Sequence, residues 1–248
     1  MRYFIELAYN GKAYFGWQSQ RDAVTVQETI EKALFVLLQK PTAVTGAGRT
    51  DTGVHATKYY AHFDAEKIGD INNLIYKLNS ILPEDIAVYD IFKVPDEAHA
   101  RFDALSRTYK YYVIQHKEPF LTGTSHLVKN KLDVEIMNRA ANSLKNYRDF
   151  KCFSKSKTDV KTYNCRVTEA YWEKTNDLLI FHITADRFLR NMVRAIVGTL
   201  LDIGLNKLEE EDLHKIIESR DRQQAGTSVP AKALFLTGIE YPGSIVSK

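Results

Sequence analysis

Hydrophobic and polar positions change period in a regular order along the first half of the chain. Apolar residues recur every second position, as in a strand, in RYFIELAY, near residues 42–45, in HATKYYAHFDA and in DIAVYDIFKV. A helical period covers about 26–39 and 71–80. Thr25 and Glu28 mark the first helix start as a capping box, in which each side chain can bond the other's backbone N–H. The predicted order is βαββαβ.

The second half repeats this order with one extra helix. Strands are predicted in RTYKYYVIQ, YNCRVTEAYWE, LLIFHITA and ALFLTGIEY. Helices are predicted after Asp133, from Phe188 to about Leu201, and near 210–218. We therefore expect an α/β (α+β) fold of two ferredoxin-like βαββαβ units, with predominantly antiparallel sheets and helices on one face. The predicted domains are 1–100 and 101–248, with an active-site cleft between them.

Composition favours a soluble globular protein. The chain has 248 residues, of which 44% are hydrophobic, and it contains no apolar run of about 18 residues that could span a membrane. The N-terminus alternates instead of forming the apolar core of a signal peptide, so we expect a cytoplasmic protein. Cys152 and Cys165 lack Cys-x-x-Cys spacing and paired histidines, which favours buried free thiols over a redox pair or zinc site.

The distribution of charge is more informative than its sum. The formal net charge is only +3, from 34 basic and 31 acidic residues, which does not by itself indicate a nucleic-acid ligand. Six basic residues fall between positions 145 and 161 against two acids, while four consecutive acids occupy 209–212. A solvated charged surface and an RNA-binding surface both fit this pattern.

The stretch TGAGRTDTGVHA (residues 45–56) is the strongest candidate for chemistry. It is not a dinucleotide fingerprint, because Asp51 stands where the third glycine is needed and a strand follows. It is not a phosphate loop either, because Val54 and His55 replace the required Lys and Ser or Thr. Two interpretations stay open: a structural turn in which Arg49 and Asp51 pair, and a loop that presents Asp51, an isolated carboxylate, to a ligand.

Five separated blocks carry a resemblance to a known family. They are FGWQSQ, GAGRTDTGVHA, HARFDALSRTYKYY, FLRNMVRAIVGTLLDIG and ALFLTGIEYP. Together they resemble the TruA-type tRNA pseudouridine synthases over essentially the whole chain; Thr52 departs from the alanine of many members. The resemblance implies conversion of uridine to pseudouridine at positions 38, 39 and 40 of the tRNA anticodon stem-loop. It also implies a homodimer that holds one tRNA, without a metal or an organic cofactor.

The resemblance also assigns roles to individual residues. Asp51 falls on the catalytic aspartate, Arg49 on the arginine that assists base flipping, Tyr109 on the active-site tyrosine, and Arg194 on the arginine that pairs with the aspartate. These residue types suit the chemistry, since a flipped base leaves a gap that a planar guanidinium can fill. An arginine within about 4 to 6 Å favours the ionised form of a carboxylate.

Other residues are assigned with plainer alternatives beside them. The predicted helix from Phe188 places Arg194 on one face with Arg187 and Arg190, although Arg194 could be an ordinary surface cation. Tyr109 can stack on uracil, whereas its neighbouring tyrosines are expected to pack in the core. His55 is expected to support the loop by a hydrogen bond more than to act as a base. The residues assigned to phosphate contact are Arg101, Arg107, Lys155, Lys157 and Lys161.

The competing hypothesis is a non-catalytic RNA-binding protein with two RRM-like units. The basic and aromatic residues fit it, but the RRM signature blocks are missing, and a binder would not need Asp51. A nucleotide-dependent enzyme lacks its phosphate loop, so we expect tRNA as the partner and no nucleotide cofactor.

Overall fold

The computed structural model describes residues 1–156 and 160–246, which group by contact into two compact units. Unit 1 comprises residues 1–106 and 236–248, and unit 2 comprises residues 107–235. The described chain forms nine strands and five α-helices, with mostly antiparallel pairing. The predicted α/β class is confirmed, while the folding domains expected at 1–100 and 101–248 stay a prediction.

Unit 1 has the predicted βαββαβ order. Its elements are β1 (Arg2–Tyr9), α1 (Val26–Leu38), β2 (Val44–Gly46), β3 (His55–Asp64), α2 (Ile71–Ile81) and β4 (Ile86–Val94). β1 pairs antiparallel with both β3 and β4, and β2 pairs antiparallel with β3. The last strand of the chain, β9 (Leu234–Glu240), lies next to β3. β3 therefore has strands on both sides, and the loop between β2 and β3 ends at an interior strand.

The caps and the core explain the helices of unit 1. The Thr25 hydroxyl accepts a hydrogen bond from the Glu28 backbone N–H at 3.4 Å, which is the Thr25 half of the predicted capping box. The Glu28 carboxylate instead lies 2.6 Å from Lys32, one helical turn later. Ile30 and Leu34 on α1 are completely buried, because residues four apart share one face of a helix.

Unit 2 contains the second set of elements. They are β5 (Ser106–Ile114), β6 (His126–Leu127), α3 (Val134–Ser143), β7 (Val167–Thr175), β8 (Leu178–Ala185), α4 (Met192–Gly204) and α5 (Asp212–Ser219). β8 pairs antiparallel with both β5 and β7. β6 was not predicted, because two residues parallel to β5 are too few to show a period.

The sequence prediction for α4 was wrong in two respects. The helix begins at Met192 and not at Phe188, because Asn191 adopts a left-handed backbone with φ 68° that no regular helix contains. Arg187 and Arg190 therefore precede the helix, and Arg194 does not share a helical face with them. Most of the helix is buried around its circumference, since Ala195, Ile196 and their neighbours lie in the core.

Candidate active site

The glycine-rich stretch forms the loop between β2 and β3. Gly46 ends β2 and His55 begins β3. The Val54 backbone N–H donates to the Asp51 carbonyl at 3.1 Å, which closes a tight turn immediately after the aspartate. Gly53 within this turn has φ 77°, a left-handed conformation that favours glycine. The turn leaves Asp51 partly exposed in a short segment between two strands.

Three buried aromatic side chains form a floor beneath the loop. Trp17 and Tyr59 have ring centroids 4.1 Å apart, and Tyr9 contacts both. The Tyr9 hydroxyl lies 2.9 Å from the Thr50 hydroxyl, next to Asp51. The Tyr59 hydroxyl accepts from the Gly48 N–H at 3.3 Å and also donates to the Gly48 carbonyl. Hydrogen bonds from the floor therefore hold the residues on both sides of Arg49.

Close packing explains why position 46 of the loop is glycine, but it does not explain the glycine at position 48. A methyl group on Gly46 would overlap the Tyr59 hydroxyl and the Trp17 indole, whereas a methyl group on Gly48 would meet no atom within 4 Å. Gly46 is thus required by the aromatic floor. Gly48 keeps the space above the loop open beside Arg49.

His55 supports the loop, as the sequence analysis favoured. Its ring is buried, with 2% of the residue exposed. Its Nδ1 accepts a hydrogen bond from the Gly11 backbone N–H at 3.2 Å, which requires Nδ1 to be unprotonated. This contact joins the start of β3 to the turn after β1.

Arg49 and Arg101 line one cavity in unit 1. The cavity has a volume of about 120 Å³, and its other lining residues are Trp17, Gln18, Gln27, Val44, Thr45, Gly46 and Gly48. Both arginines are exposed, and the two glutamines add amide groups. Two cations at one concave surface favour an anion such as an RNA phosphate.

Two histidines hold the turn that carries Arg101. His62 Nδ1 accepts from the Ala100 N–H at 3.1 Å, and His99 Nδ1 accepts from the Arg101 N–H at 3.1 Å. Burial, together with the charge of Arg2, lowers the pKa of His62 to about 4. His62 is therefore neutral near neutral pH, when its Nδ1 can accept this hydrogen bond.

Arg194 and Tyr109 belong to unit 2. The Arg194 side chain is partly exposed, and its Nε donates to the Val229 carbonyl at 2.8 Å. Tyr109 lies on β5 opposite Ile183, and its ring meets that of Phe188 edge to face with centroids 5.1 Å apart. Each side chain is thus held in a defined orientation by a neighbour within unit 2.

The other β5 tyrosines pack, as expected. Tyr111 is completely buried, and its hydroxyl donates to the Pro230 carbonyl at 3.0 Å. Burial raises the pKa of Tyr111 above its ordinary value, so the hydroxyl stays protonated. Tyr112 meets Phe235 edge to face at 5.1 Å. Tyr109 and Tyr112 are thus both partly exposed beside an aromatic neighbour, whereas Tyr111 is enclosed in the core.

The remaining basic residues lie in different environments. Arg107 donates to the Asp186 carbonyl at 2.8 Å through Nη1. Lys155 and Lys161 are exposed, and the Lys155 backbone N–H donates to the Arg190 carbonyl at 3.0 Å. Lys157 lies outside the described residues. The phosphate contacts assigned to these residues stay predictions.

A comparison with protein-family models decides the family. Residues 7–103 and 140–242 match the model described as tRNA pseudouridine synthase. The chain belongs to the tRNA pseudouridine synthase family. The resemblance read from the sequence is confirmed, and with it the expectation of an enzyme that isomerises uridine in tRNA.

Individual relatives are similar over nearly their whole length. A protein of Parabacteroides distasonis is 54% identical over 242 residues, covering 97% of this chain and 96% of the relative. One of Bacteroides fragilis is 52% identical over 246 residues, covering 98% of each. One of Chlorobaculum tepidum is 39% identical over 241 residues, covering 96% of each. All three are named tRNA pseudouridine synthase A.

The cysteines, the candidate metal ligands and the helices were also compared with what a redox pair, a metal site and a membrane span require. Cys152 and Cys165 are buried free thiols, as predicted, and burial raises the pKa of each to about 12. Within residues 1–156 and 160–246, no group of three or more His, Cys, Asp or Glu side chains is arranged to hold a metal ion. None of the helices in the described part of the chain has the length and apolar character needed to cross a membrane.

The sequence analysis did not identify the neighbours that hold the candidate site side chains in place. Phe188 beside Tyr109, the aromatic floor beneath the loop, and the Val229 carbonyl beside Arg194 were not identified. The FGWQSQ block could have indicated Trp17, since it was already singled out. A backbone carbonyl leaves no signal in the sequence, because every residue has one.

Proposed function

We propose that this enzyme converts uridine to pseudouridine at positions 38, 39 and 40 of the tRNA anticodon stem-loop, with Asp51 as the catalytic carboxylate. The observation that carries the proposal is the placement of Asp51 in a fixed loop, two residues from an arginine that lines an open cavity. Family membership supplies the reaction class. The non-catalytic RNA-binding alternative does not account for this arrangement.

The reaction defines what the residues must do. The bond from ribose C1′ to uracil N1 breaks, the detached uracil rotates, and a bond from C1′ to C5 forms. The C5 proton leaves to solvent and N1 takes up a proton, so that the product is an isomer of the substrate. The base has to be flipped out of its stack first, at a cost of a few kcal/mol. Asp51 acts as nucleophile at uracil C6 or ribose C1′, or assists removal of the C2′ proton. All three routes use an ionised carboxylate.

Arg49 assists base flipping in this proposal. It is exposed at the rim of the cavity that it shares with Arg101, and the Tyr59 hydrogen bonds to Gly48 hold the backbone beside it. Its planar guanidinium can stack in the vacated position while it bonds a phosphate. Arg101 then contacts a second phosphate from the same cavity.

Tyr109 and Arg194 are the other two residues to which we assign catalytic roles. Tyr109 stacks on the flipped uracil and presents its hydroxyl to the ribose, with Phe188 holding its ring. Arg194 pairs with Asp51 and stabilises its charge. Arg107, Lys155, Lys157 and Lys161 contact phosphates. The proposed assembly is a cytoplasmic homodimer that binds one tRNA and uses no metal, organic or nucleotide cofactor.

Tritium release tests the central assignment. An anticodon stem-loop labelled with tritium at uracil C5 is incubated with wild type and with Asp51→Asn, which keeps the side-chain shape and removes the charge. We expect the wild type to release tritium, and the variant to release none while it binds the RNA with unchanged affinity. Asp177→Asn in the exposed β7–β8 turn is the control, expected to behave as wild type. Equal release by wild type and Asp51→Asn would sink the role of Asp51.

A further inference from the structure

The segment that accepts the hydrogen bond from Arg194 is held by another arginine. Residues 222–230, here called the strap, follow α5 and lie along α4. The strap contacts α4 at two points: the Gly226 N–H donates to the Thr199 hydroxyl at 2.9 Å, and the Val229 N–H donates to the Arg194 carbonyl at 3.2 Å. In return, Arg194 Nε donates to the Val229 carbonyl. The strap therefore sets the position of the acceptor that orients Arg194.

Arg222 ties the strap together. Its Nη1 lies 3.2 Å from both the Ala225 and Gly226 carbonyls, and its Nη2 donates to the Ser228 hydroxyl at 2.8 Å. Charged hydrogen bonds from a planar guanidinium fix several acceptors at once. The turn from Ala225 to Ser228 is thereby held just before Val229.

The same arrangement reaches the start of α4. The Ser228 hydroxyl also bonds the Asn191 side-chain amide at 2.6 Å, and Asn191 is the left-handed residue that precedes the helix. Close packing adds a further constraint, since a methyl group on Gly198 would overlap the Thr227 carbonyl. Arg194 thus lies on a helix whose start and whose strap-facing side are both fixed by the strap.

We infer that Arg222 is a positioning residue for Arg194 in pseudouridine formation. It acts through the strap: three hydrogen bonds hold the turn, the turn places the Val229 carbonyl, and this carbonyl sets the plane of the Arg194 guanidinium. With Nε donating to Val229, we assign the edge formed by the two terminal nitrogens to the proposed bond with the Asp51 carboxylate. The inference rests on the proposed pairing of Arg194 with Asp51.

A double-mutant cycle tests the inference by single-turnover tritium release. For Arg222→Ala we expect the rate constant to fall roughly 10- to 100-fold, as when a catalytic group is misplaced by about 1 Å. RNA affinity should change by less than about threefold, since Arg222 makes no proposed RNA contact. In an Arg194→Ala background, the same change should alter the rate less than about twofold, because the group that it positions is absent.

Two further variants make the result decisive. Arg222→Lys keeps the charge but cannot reproduce the planar fork that bonds three acceptors. Its rate constant should lie between those of Arg222→Ala and the wild type. Arg139→Ala, which removes an exposed unit 2 arginine paired with Glu210 at 2.8 Å, is the matched control and should keep the wild-type rate. If Arg222→Ala fails to fold, Ser228→Ala takes its place in the cycle, with a smaller expected loss.

The outcomes separate this inference from the proposed function. A full rate for the strap variant, or an equal loss in both backgrounds, overturns the inference while leaving the proposed function standing. A full rate for Arg194→Ala shows that the proposed role of Arg194 is wrong, and the inference falls with it. Absence of release by the wild type overturns the proposed function itself.

Discussion

At the scale of single residues, the loop fixes the backbone around Arg49 and exposes the Arg49 side chain. The residues on either side of Arg49 bond the aromatic floor: Gly48 bonds Tyr59, and Thr50 bonds Tyr9. The Arg49 side chain itself is exposed at the cavity. A fixed backbone and an exposed side chain together suit a group that has to insert at a defined position in the RNA.

Replacement of Arg49 tests the flipping role. For Arg49→Ala we expect kcat to fall by about two orders of magnitude with RNA affinity reduced less than about fivefold, because the lost group acts after binding. Lys77→Ala, a change of an exposed cation on α2, serves as the control. Steady-state tritium release gives kcat and filter binding gives the affinity. A variant that turns over at the wild-type rate would contradict the flipping role.

At the scale of elements, the loop between β2 and β3 depends on contacts from outside its own sequence. Trp17 precedes α1, and its backbone N–H donates to the Thr50 carbonyl at 3.3 Å. Tyr59 lies on β3, and Tyr9 ends β1. The glycine at position 46 makes room for these aromatic groups, so the loop and its floor form one packed arrangement.

Two glycines of the loop give a matched pair of variants. Gly46→Ala forces a methyl group into the Tyr59 and Trp17 side chains, so we expect it to lower the free energy of unfolding by about 1 to 3 kcal/mol. Gly48→Ala meets open space and should change the free energy by less than about 0.5 kcal/mol. Urea unfolding followed by tryptophan fluorescence measures both. Equal stability of the two variants would show that the aromatic floor does not constrain Gly46.

At the scale of the whole molecule, charge has to be judged by its placement. The net charge of +3 is small, yet several acids are already paired with lysines, such as Asp202 with Lys207 at 3.2 Å and Asp212 with Lys215 at 2.7 Å. A lysine that must leave a carboxylate to meet a phosphate gains little from the exchange. Lys155 and Lys161 are exposed, and the proposed function assigns them to RNA contact. Binding should therefore depend on particular lysines.

The salt dependence of tRNA binding tests that assignment. For Lys155→Ala/Lys161→Ala we expect the slope of log affinity against log salt concentration to become shallower by about one to two units. Each phosphate contact releases counterions when it forms, so a protein with fewer contacts releases fewer of them on binding. Lys207→Ala/Lys215→Ala is the control, expected to keep the wild-type slope. Filter binding over a range of KCl concentrations measures both. Unchanged slopes in all three proteins would remove Lys155 and Lys161 from the RNA-binding surface.

The sequence by itself determined the order of elements and the candidate for the reactive segment. Period 2 and period 3.6 are local properties, so β1, β3, α2 and β8 could be predicted close to their observed bounds. The glycine loop could be separated from nucleotide-binding loops because those need specific residues at fixed spacing. The family resemblance depended on five blocks, which are also local.

Only the tertiary structure decided how the site residues are held. Arg194 and its acceptor Val229 are 35 residues apart, and the acceptor is a carbonyl that any residue would provide. The start of α4 depended on one left-handed asparagine bonded to Ser228, which no helical period reveals. Local patterns specify elements, whereas the orientation of a side chain depends on backbone groups that only folding brings to it.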